Sequence, residues 1–294
     1  MAVDQTASNQ LAHFLSFESP ILDSRSLNDY KKSHLRHSGH IPFNELQDRL
    51  HELPKSSVSI RLISNSQEIE QTIDLLKSKR YVIDASITWE SISEDAQKAS
   101  LTEIGERVKL LWSPTPALET FIKSIEEGRY SIHSANPSVI DIGCGSGRDL
   151  VFLGLKGWNI LGLDYLQPAL DKYLQLAKQY DIEAKAIKLD IEENLTDFVE
   201  MGSHFDLVQV FRYLHRPLLP HLKDKVKPGG YLIYQTFSSG CEAFGKPKKA
   251  RFILKRGELA EIFDDFEILK DEIISLDDGR PNNLFIARKP TKNL

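Results

Sequence analysis

Short apolar runs alternate with amphipathic segments along most of the chain, which predicts an α/β fold. Residues 139–142 form one such run, and residues 167–179 have helical spacing with Leu170, Leu174 and Ala177 on one face. The repetition of this strand–helix pattern predicts a doubly wound, Rossmann-like sheet of seven strands in the second half of the chain.

A smaller α/β pattern precedes it. Residues 21–23, 58–63 and 81–83 read as strands, and residues 68–77 have helical spacing. The pattern divides the chain into four parts: a flexible N-terminus (1–18), a small α/β domain (19–90), a helical connector or lid (91–137) and a larger α/β domain (138–294).

Composition narrows the class of protein. The chain has 294 residues, 41% hydrophobic and 27% charged, with a formal net charge of −5. These values are ordinary for a globular protein and argue against a protein that coats nucleic acid. Two cysteines, Cys144 and Cys241, are too few for a disulfide framework. We expect a cytoplasmic protein without a signal peptide, a membrane span or a metal site.

One glycine-rich stretch carries the strongest chemical signal. An apolar run ends at Asp141 and continues through Gly143, Gly145 and Gly147 into a predicted helix. Glycines allow sharp bends and close approach of the backbone to a ligand, and a helix N-terminus presents unpaired N–H groups. The spacing differs from the dinucleotide fingerprint, whose third glycine would fall at Arg148.

This stretch resembles the SAM (S-adenosylmethionine) motif of class I methyltransferases. Asp164 ends the second predicted strand, Asp190 ends the third, and a Pro-Gly-Gly turn at 228–230 precedes the fifth. The resemblance implies that the glycine turn holds the methionine end of SAM, Asp164 the ribose, and Asp190 with Ile191 the adenine. The cofactor residues it implies are Asp141, Gly143, Cys144, Gly145, Gly147, Asp164, Tyr165, Asp190, Ile191 and Phe211.

The acceptor is expected beyond the fourth and fifth strands, where residues 211–216 and 237–251 follow. The segment 211–216, together with residues 234–237 and 252–259, is similar to tellurite-resistance-type methyltransferases. We take Arg212, Tyr213 and His215 as candidate catalytic residues, with His215 either a base or a loop-stabilising residue. Arg212, Arg216 and the basic run 246–251 form either a positively charged pocket for a small anion or a solvated loop.

The first domain resembles a rhodanese-like domain in its strand order, in Asp23-Ser-Arg25 and in Gly39-His-Ile-Pro42. In that family the loop after one strand carries a sulfur-accepting cysteine. The matching loop here, 64–67, contains serine, asparagine and glutamine but no thiol. Because a hydroxyl cannot hold a persulfide, the resemblance implies a degenerate docking or structural module and argues against sulfur transfer.

The resulting hypothesis is a SAM-dependent methyltransferase acting on a small acceptor, with an anion as one candidate. One alternative is a non-enzymatic SAM-binding interaction protein that docks a partner protein through its first domain. Another is an RNA or protein methyltransferase, although a single basic cluster in an acidic chain argues against nucleic acid as a partner.

Overall fold

The structure of the protein is a computed structural model that describes residues 2–106, 109–202 and 204–291, with side chains from residue 9 onward. The chain forms two compact units, Met1–Ser113 and Pro114–Leu294. Each unit has its own parallel or mixed sheet. The α/β fold class predicted from the sequence is therefore confirmed.

The first unit alternates strands and helices. Its elements are α1 (Ala2–Leu15), β1 (Ile21–Asp23), α2 (Leu27–Lys32), β2 (His34–Leu35), β3 (Ser38–His40), α3 (Phe43–Leu46), β4 (Ile60–Ser64), α4 (Ile69–Ser78), β5 (Ile83–Thr88), α5 (Trp89–Lys98) and β6 (Thr102–Glu103). Within the described residues, β3-β1-β4-β5 form a parallel sheet and β2 pairs with β6.

Alternate residues of this parallel sheet pack in two separate cores, one on each face of the sheet. Ile21 and Ile63 pack on one face with α1 and α5, whereas their neighbours Leu22 and Leu62 pack in a second cluster on the other side. This is the period-2 alternation expected of a strand whose two faces are both covered.

Two sequence-based predictions differ from this unit. The N-terminus, expected to be flexible, forms α1, because Leu11 and Phe14 are buried against the sheet. The connector 91–137, predicted to be helical, has apolar residues at helical spacing at positions 104, 108 and 111, but the described residues of 104–111 form no helix, and Val108 lies outside the described residues. Ile104 is exposed and Leu111 packs in a core.

The predicted connector 91–137 is divided between the units. Its first part forms α5 and β6 of the first unit, and its second part forms α6 (Pro116–Glu126) of the second. Pro116 at the first helical position is favourable because its missing N–H would have no helical partner there.

The second unit continues with β7 (Ser138–Ile142), α7 (Arg148–Leu155), β8 (Asn159–Asp164), α8 (Gln167–Gln179), β9 (Ala184–Lys188), α9 (Leu195–Glu200), β10 (Phe205–Phe211), α10 (Leu219–Lys225), β11 (Val226–Phe237), α11 (Glu258–Ile262), β12 (Glu267–Ser275) and β13 (Pro281–Arg288). The bounds of β8 and α8 are those read from the sequence.

The sheet of this unit, as far as the structure describes it, has the order β12-β13-β11-β10-β7-β8-β9. The five strands from β11 to β9 are parallel, while β13 runs antiparallel to both β11 and β12. The chain leaves β7 towards β8 on one side and later returns to β10 on the other. The carboxyl ends of β7 and β10 therefore flank a topological switch point, where such sheets bind ligands.

Candidate functional site

The glycine turn lies at this switch point, between the end of β7 and the start of α7. Gly143, Gly145 and Gly147 all have positive φ, at 76°, 56° and 71°. A side chain at Gly147 would lie 2.0 Å from the Tyr173 ring, so no other residue fits there. Gly145 faces open space instead, because a Cβ at this position would have no other group within 4 Å, which leaves the turn accessible to a ligand.

Asp164, at the end of β8, lies against the glycine turn. Its carboxylate accepts the Gly145 N–H at 2.9 Å through Oδ2 and the Leu166 N–H at 2.9 Å through Oδ1. The side chain is buried, and these two bonds fix its orientation. Each carboxylate oxygen has a further lone pair, so Asp164 can still accept hydrogen bonds from a diol. The next residue, Tyr165, is exposed.

Two more carboxyl groups lie under the turn. Asp141 is buried at the end of β7, and burial followed by the charge of Asp149 raises its pKa well above the ordinary value. Burial also raises the pKa of Asp149, against the opposing effect of two bonds from Thr115. Thr115 donates its N–H and its hydroxyl to the two Asp149 oxygens, each at 2.7 Å.

Cys144 belongs to the turn but is a poor nucleophile. Burial raises the pKa of its thiol, and the nearby carboxylates Asp141 and Asp164 raise it further. Its Sγ would lie 2.8 Å from a side chain at Gly162. The thiol therefore fills space between β7 and β8.

Two residues are expected to contact adenine, the polar Asp190 and the apolar Ile191. Asp190 accepts the Glu192 N–H at 3.0 Å and is partly exposed beyond the end of β9. Ile191 is only 3% exposed because it packs in the main core of the unit. It therefore offers little surface to an adenine ring, in contrast to the role that the resemblance implies.

The residues after β10 turn back over the site. Arg212 has a left-handed backbone, with φ of 57°, and its N–H bonds the Gln235 carbonyl at 2.7 Å. A non-glycine residue at positive φ is strained and marks a position worth functional attention. The Arg212 side chain is exposed, and its charge favours the ionised form of Asp149.

Tyr213 packs over the glycine turn. A side chain at Gly143 would lie 3.5 Å from the Tyr213 Cβ. Burial raises the pKa of the Tyr213 phenol above its ordinary value, and the charges of Glu192, Asp190 and Asp164 raise it further. The phenol is therefore a neutral hydrogen-bonding group beside the glycine turn. Phe211, at the end of β10, is partly exposed.

His215 and Arg216 differ in their environments. His215 is partly buried and its carbonyl accepts the Leu218 N–H at 3.0 Å. Arg216 pairs with both oxygens of Glu258, at 2.5 and 3.0 Å, and donates to the Ile253 carbonyl at 2.8 Å. Arg216 thus anchors the loop after β11 and is not available to pair with an anionic acceptor.

The structure brings together most of the predicted cofactor residues at the carboxyl edge of the sheet. It also adds residues that sequence reasoning missed. Thr115 lies in the predicted connector, and only its contact with Asp149 places it at the site. Gln209 is fully buried beside Asp141 in the register of β7 and β10. A polar residue within the apolar run 207–210 was the sequence signal for it.

The described residues give no support for a metal site or for a membrane-spanning helix. No group of three or more His, Cys, Asp or Glu side chains there is arranged to hold a metal ion. None of the described helices has the length and apolar character needed to cross a membrane.

Comparison with known proteins identifies the second unit. The family model of a methyltransferase domain matches residues 106–270, which is more than half of the chain. The uncharacterized protein UNK4.09 of Schizosaccharomyces pombe is 27% identical over 91% of this chain and 93% of its own length. The probable SAM-dependent methyltransferase TehB of Haemophilus influenzae is 26% identical over 45% of this chain and 46% of its own length.

The solved structure of TehB from Haemophilus influenzae aligns with a TM-score of 0.47 and 19% identity, covering 58% of this chain and 62% of that one. The glycine turn between β7 and α7, with an acid at the end of β8, fits the donor that this family uses. The chain belongs to the methyltransferase-domain family, and its methyl donor is SAM.

Proposed function

We propose that the second unit transfers the methyl group of SAM to a small acceptor that enters beyond the carboxyl ends of β10 and β11. The single observation that carries this proposal is the Asp164 carboxylate. It is locked against the glycine turn by the N–H groups of Gly145 and Leu166, with lone pairs left for a ribose. Bound SAM supplies an electrophilic methyl group on a sulfonium.

The remaining residues have roles of binding and positioning in this proposal. The turn from Gly143 to Gly147 receives the methionine end of SAM, and Asp190 the adenine. Arg212, Tyr213 and His215 stand on the segment that faces the acceptor. Because methyl transfer is an in-line displacement, their main contribution is to align the acceptor, and a base is required only for a protonated nucleophile.

The charges around the site favour a neutral acceptor over an anion. Arg216 already forms an ion pair with Glu258. Three carboxylates, Asp164, Asp190 and Glu192, act on the phenol of Tyr213. An anionic acceptor would meet this negative potential, whereas a neutral hydroxyl, amine or thiol would not.

We further propose that the first unit is a non-catalytic, rhodanese-like docking module. Its loop after β4 supports this reading. The Ser64 hydroxyl accepts from Ser24 at 2.9 Å, and Asn65 Oδ1 accepts the N–H groups of Gln67 and Glu68 at 3.0 and 2.8 Å. The backbone N–H groups of Gln67 and Glu68 are therefore used within the loop instead of being directed at a substrate.

The cofactor assignment is tested by calorimetric titration of the full chain with S-adenosylhomocysteine. Asp164→Ala should weaken binding about 10- to 100-fold, because a charged hydrogen bond contributes about 1.5–3 kcal/mol. Asp171→Ala removes an exposed carboxylate from the same strand–helix unit and should bind like the wild type. Equal affinities for the wild type and Asp164→Ala would contradict the ribose assignment.

A further inference from the structure

A cleft in the second unit lies outside the cofactor residues described above. It has a volume of about 210 Å³ and runs between α6 and the strands β12 and β13. Its walls are mainly apolar, with Phe121 and Tyr130 on one side and Leu284 and Ile286 on the floor. Lys270 and Glu272 stand at the rim and pair with each other at 3.1 Å, so the rim has little net charge.

The cleft adjoins the cofactor site through α6. Pro116 and Ala117, in the first turn of α6, line one end of the cleft. The preceding residue, Thr115, holds both oxygens of Asp149 beside the glycine turn. The charge of Asp149 in turn raises the pKa of Asp141 under that turn. Thr115 therefore joins the end of the cleft at Pro116 to Asp149, in the first turn of α7 beside the glycine turn.

The floor of the cleft continues into buried amides. Leu284 pairs with Gln235 across β13 and β11, and Ile286 pairs with Ile233, which pairs with Gln209 on β10. Directly paired residues of neighbouring strands point to the same face of a sheet. The Gln235 and Gln209 side chains therefore lie on the face that α6 and the cleft floor occupy.

Gln235 has an unused hydrogen-bonding atom. Its side chain is 6% exposed, and its Nε2 donates to Asn282 Oδ1 at 3.4 Å, but its Oε1 has no partner in the structure. A buried polar atom without a partner destabilises the folded state, by about 1–3 kcal/mol for a neutral group. Gln235 pairs with Leu284, which lines the cleft, and a polar atom so placed can fix the orientation of a mostly apolar ligand.

We infer that this cleft is the acceptor subsite and that it takes an aromatic acceptor of one or two fused rings carrying a neutral hydrogen-bond donor. This inference rests on the proposed function. The ring lies between α6 and Leu284, and its hydroxyl or amine donates to Gln235 Oε1. That contact requires the Gln235 amide to turn towards Leu284, a rotation about a terminal torsion with a broad energy profile.

The size of the cleft supports this ligand class. A dry protein cavity of about 150 Å³ binds benzene, whereas sites for drug-sized ligands have about 300–1,000 Å³. A cleft of about 210 Å³ lies between these limits and suits one or two rings. An inorganic oxyanion would gain nothing from walls made of Phe121, Tyr130 and Ile286.

The test uses the full chain, saturated with S-adenosylhomocysteine and titrated with 2-naphthol, with binding followed by calorimetry. Thr120→Trp places a large ring from an exposed position of α6 into the cleft and should weaken 2-naphthol binding at least tenfold. Glu119→Trp, at the neighbouring exposed position outside the cleft lining, is the matched control and should bind like the wild type.

A second pair of variants tests the polar contact. Gln235→Leu should weaken 2-naphthol binding about three- to tenfold, the range for loss of one hydrogen bond. Thr236→Val changes the next residue of β11, on the opposite face, and should have no effect. Unchanged binding in Gln235→Leu would contradict the orientation that we assign to the ligand.

The cofactor titration separates this inference from the function on which it rests. All four variants should keep wild-type affinity for S-adenosylhomocysteine, which also shows that they are folded. A wild type that binds S-adenosylhomocysteine but not 2-naphthol, or a Thr120→Trp variant that binds 2-naphthol normally, would overturn the acceptor subsite alone. A folded wild type that does not bind S-adenosylhomocysteine would overturn the proposed function instead.

Discussion

At the scale of single residues, the site is built from carboxyl groups with different tasks. Asp164 is fixed by two backbone donors, whereas Asp141 lies buried beside Gln209 and near the charge of Asp149. Burial without an ionic partner favours a protonated carboxyl group. Burial thus raises the pKa of Asp141, which lies near the end of β7 at the same edge of the sheet as Asp164.

The raised pKa of Asp141 leads to a prediction about how folding stability depends on pH. A carboxyl group that holds its proton more tightly in the folded state stabilises the fold below its unfolded pKa of about 3.9, and this contribution is lost as pH rises through the folded pKa. Asp141→Asn removes the titrating group. It should raise the unfolding midpoint at pH 7.5 relative to the wild type, and the difference should shrink as pH falls towards about 4.

Thermal unfolding of ligand-free protein across this pH range measures the effect. Asp171→Ala, which removes an exposed aspartate, provides the control because its difference from the wild type should not depend on pH in this way. A constant difference between Asp141→Asn and the wild type at every pH would show that folding does not raise the pKa of Asp141.

At the scale of elements, the loop between β11 and α11 depends on one arginine. The Arg216 guanidinium bonds both oxygens of Glu258 and the carbonyls of residues 250, 251 and 253. A planar guanidinium can make these bonds at once, whereas a lysine ammonium cannot match the carboxylate in the same bidentate way. Arg216, which lies in the segment after β10, thus holds the loop that carries the basic run 246–251.

Arg216→Lys should therefore make this loop more accessible. We expect trypsin to cleave the folded variant at Lys248, Lys249 or Arg251 severalfold faster than the wild type, because local opening needs less free energy. Arg256→Lys keeps a trypsin site at an exposed position and serves as the control. Equal cleavage rates for Arg216→Lys and the wild type would mean that the ion pair contributes little to the order of the loop.

At the scale of the whole molecule, the sequence predicts the second unit better than the first. Strands such as β8 are bounded by turns and followed by amphipathic helices, so local periodicity is enough to place them. The N-terminal helix could not be placed in this way because Leu11 and Phe14 pack against distant strands, and β6 could not because it pairs with the distant strand β2. The same limit applies to the site.

The glycine turn and Asp164 follow a motif, and the motif is enough to predict them. Thr115 reaches the site through a tertiary contact with Asp149 across 34 residues, and Gln209 reaches it through strand pairing with Asp141. Residue spacing alone contains no signal for such contacts. The predicted start of the second domain at residue 138 was for the same reason too late, since α6 belongs to this unit.

This difference in boundary predicts how fragments behave. A fragment of residues 114–294 keeps the bonds between Thr115 and Asp149 and should fold and bind S-adenosylhomocysteine with nearly the affinity of the full chain. A fragment of residues 138–294 lacks α6 and leaves the apolar surface of the sheet around Tyr231, Leu284 and Ile286 uncovered. It should unfold at a lower temperature, and its affinity for S-adenosylhomocysteine should fall.

Circular dichroism and calorimetry of the two fragments make this measurement, with the full chain as the reference. Equal unfolding temperatures for the two fragments would show that α6 is not part of the folded core of this unit.

The position of α6 in the chain also bears on the order in which the protein is assembled during synthesis. The helix leaves the ribosome before any strand of the sheet that it covers, and the floor of its cleft comes from β13, which ends at Arg288. A nascent chain can thus form the glycine turn before β13 is synthesised, whereas Phe121 meets the floor of the cleft only afterwards. In our proposal, the subsite that selects the acceptor is therefore completed after the part that holds the donor.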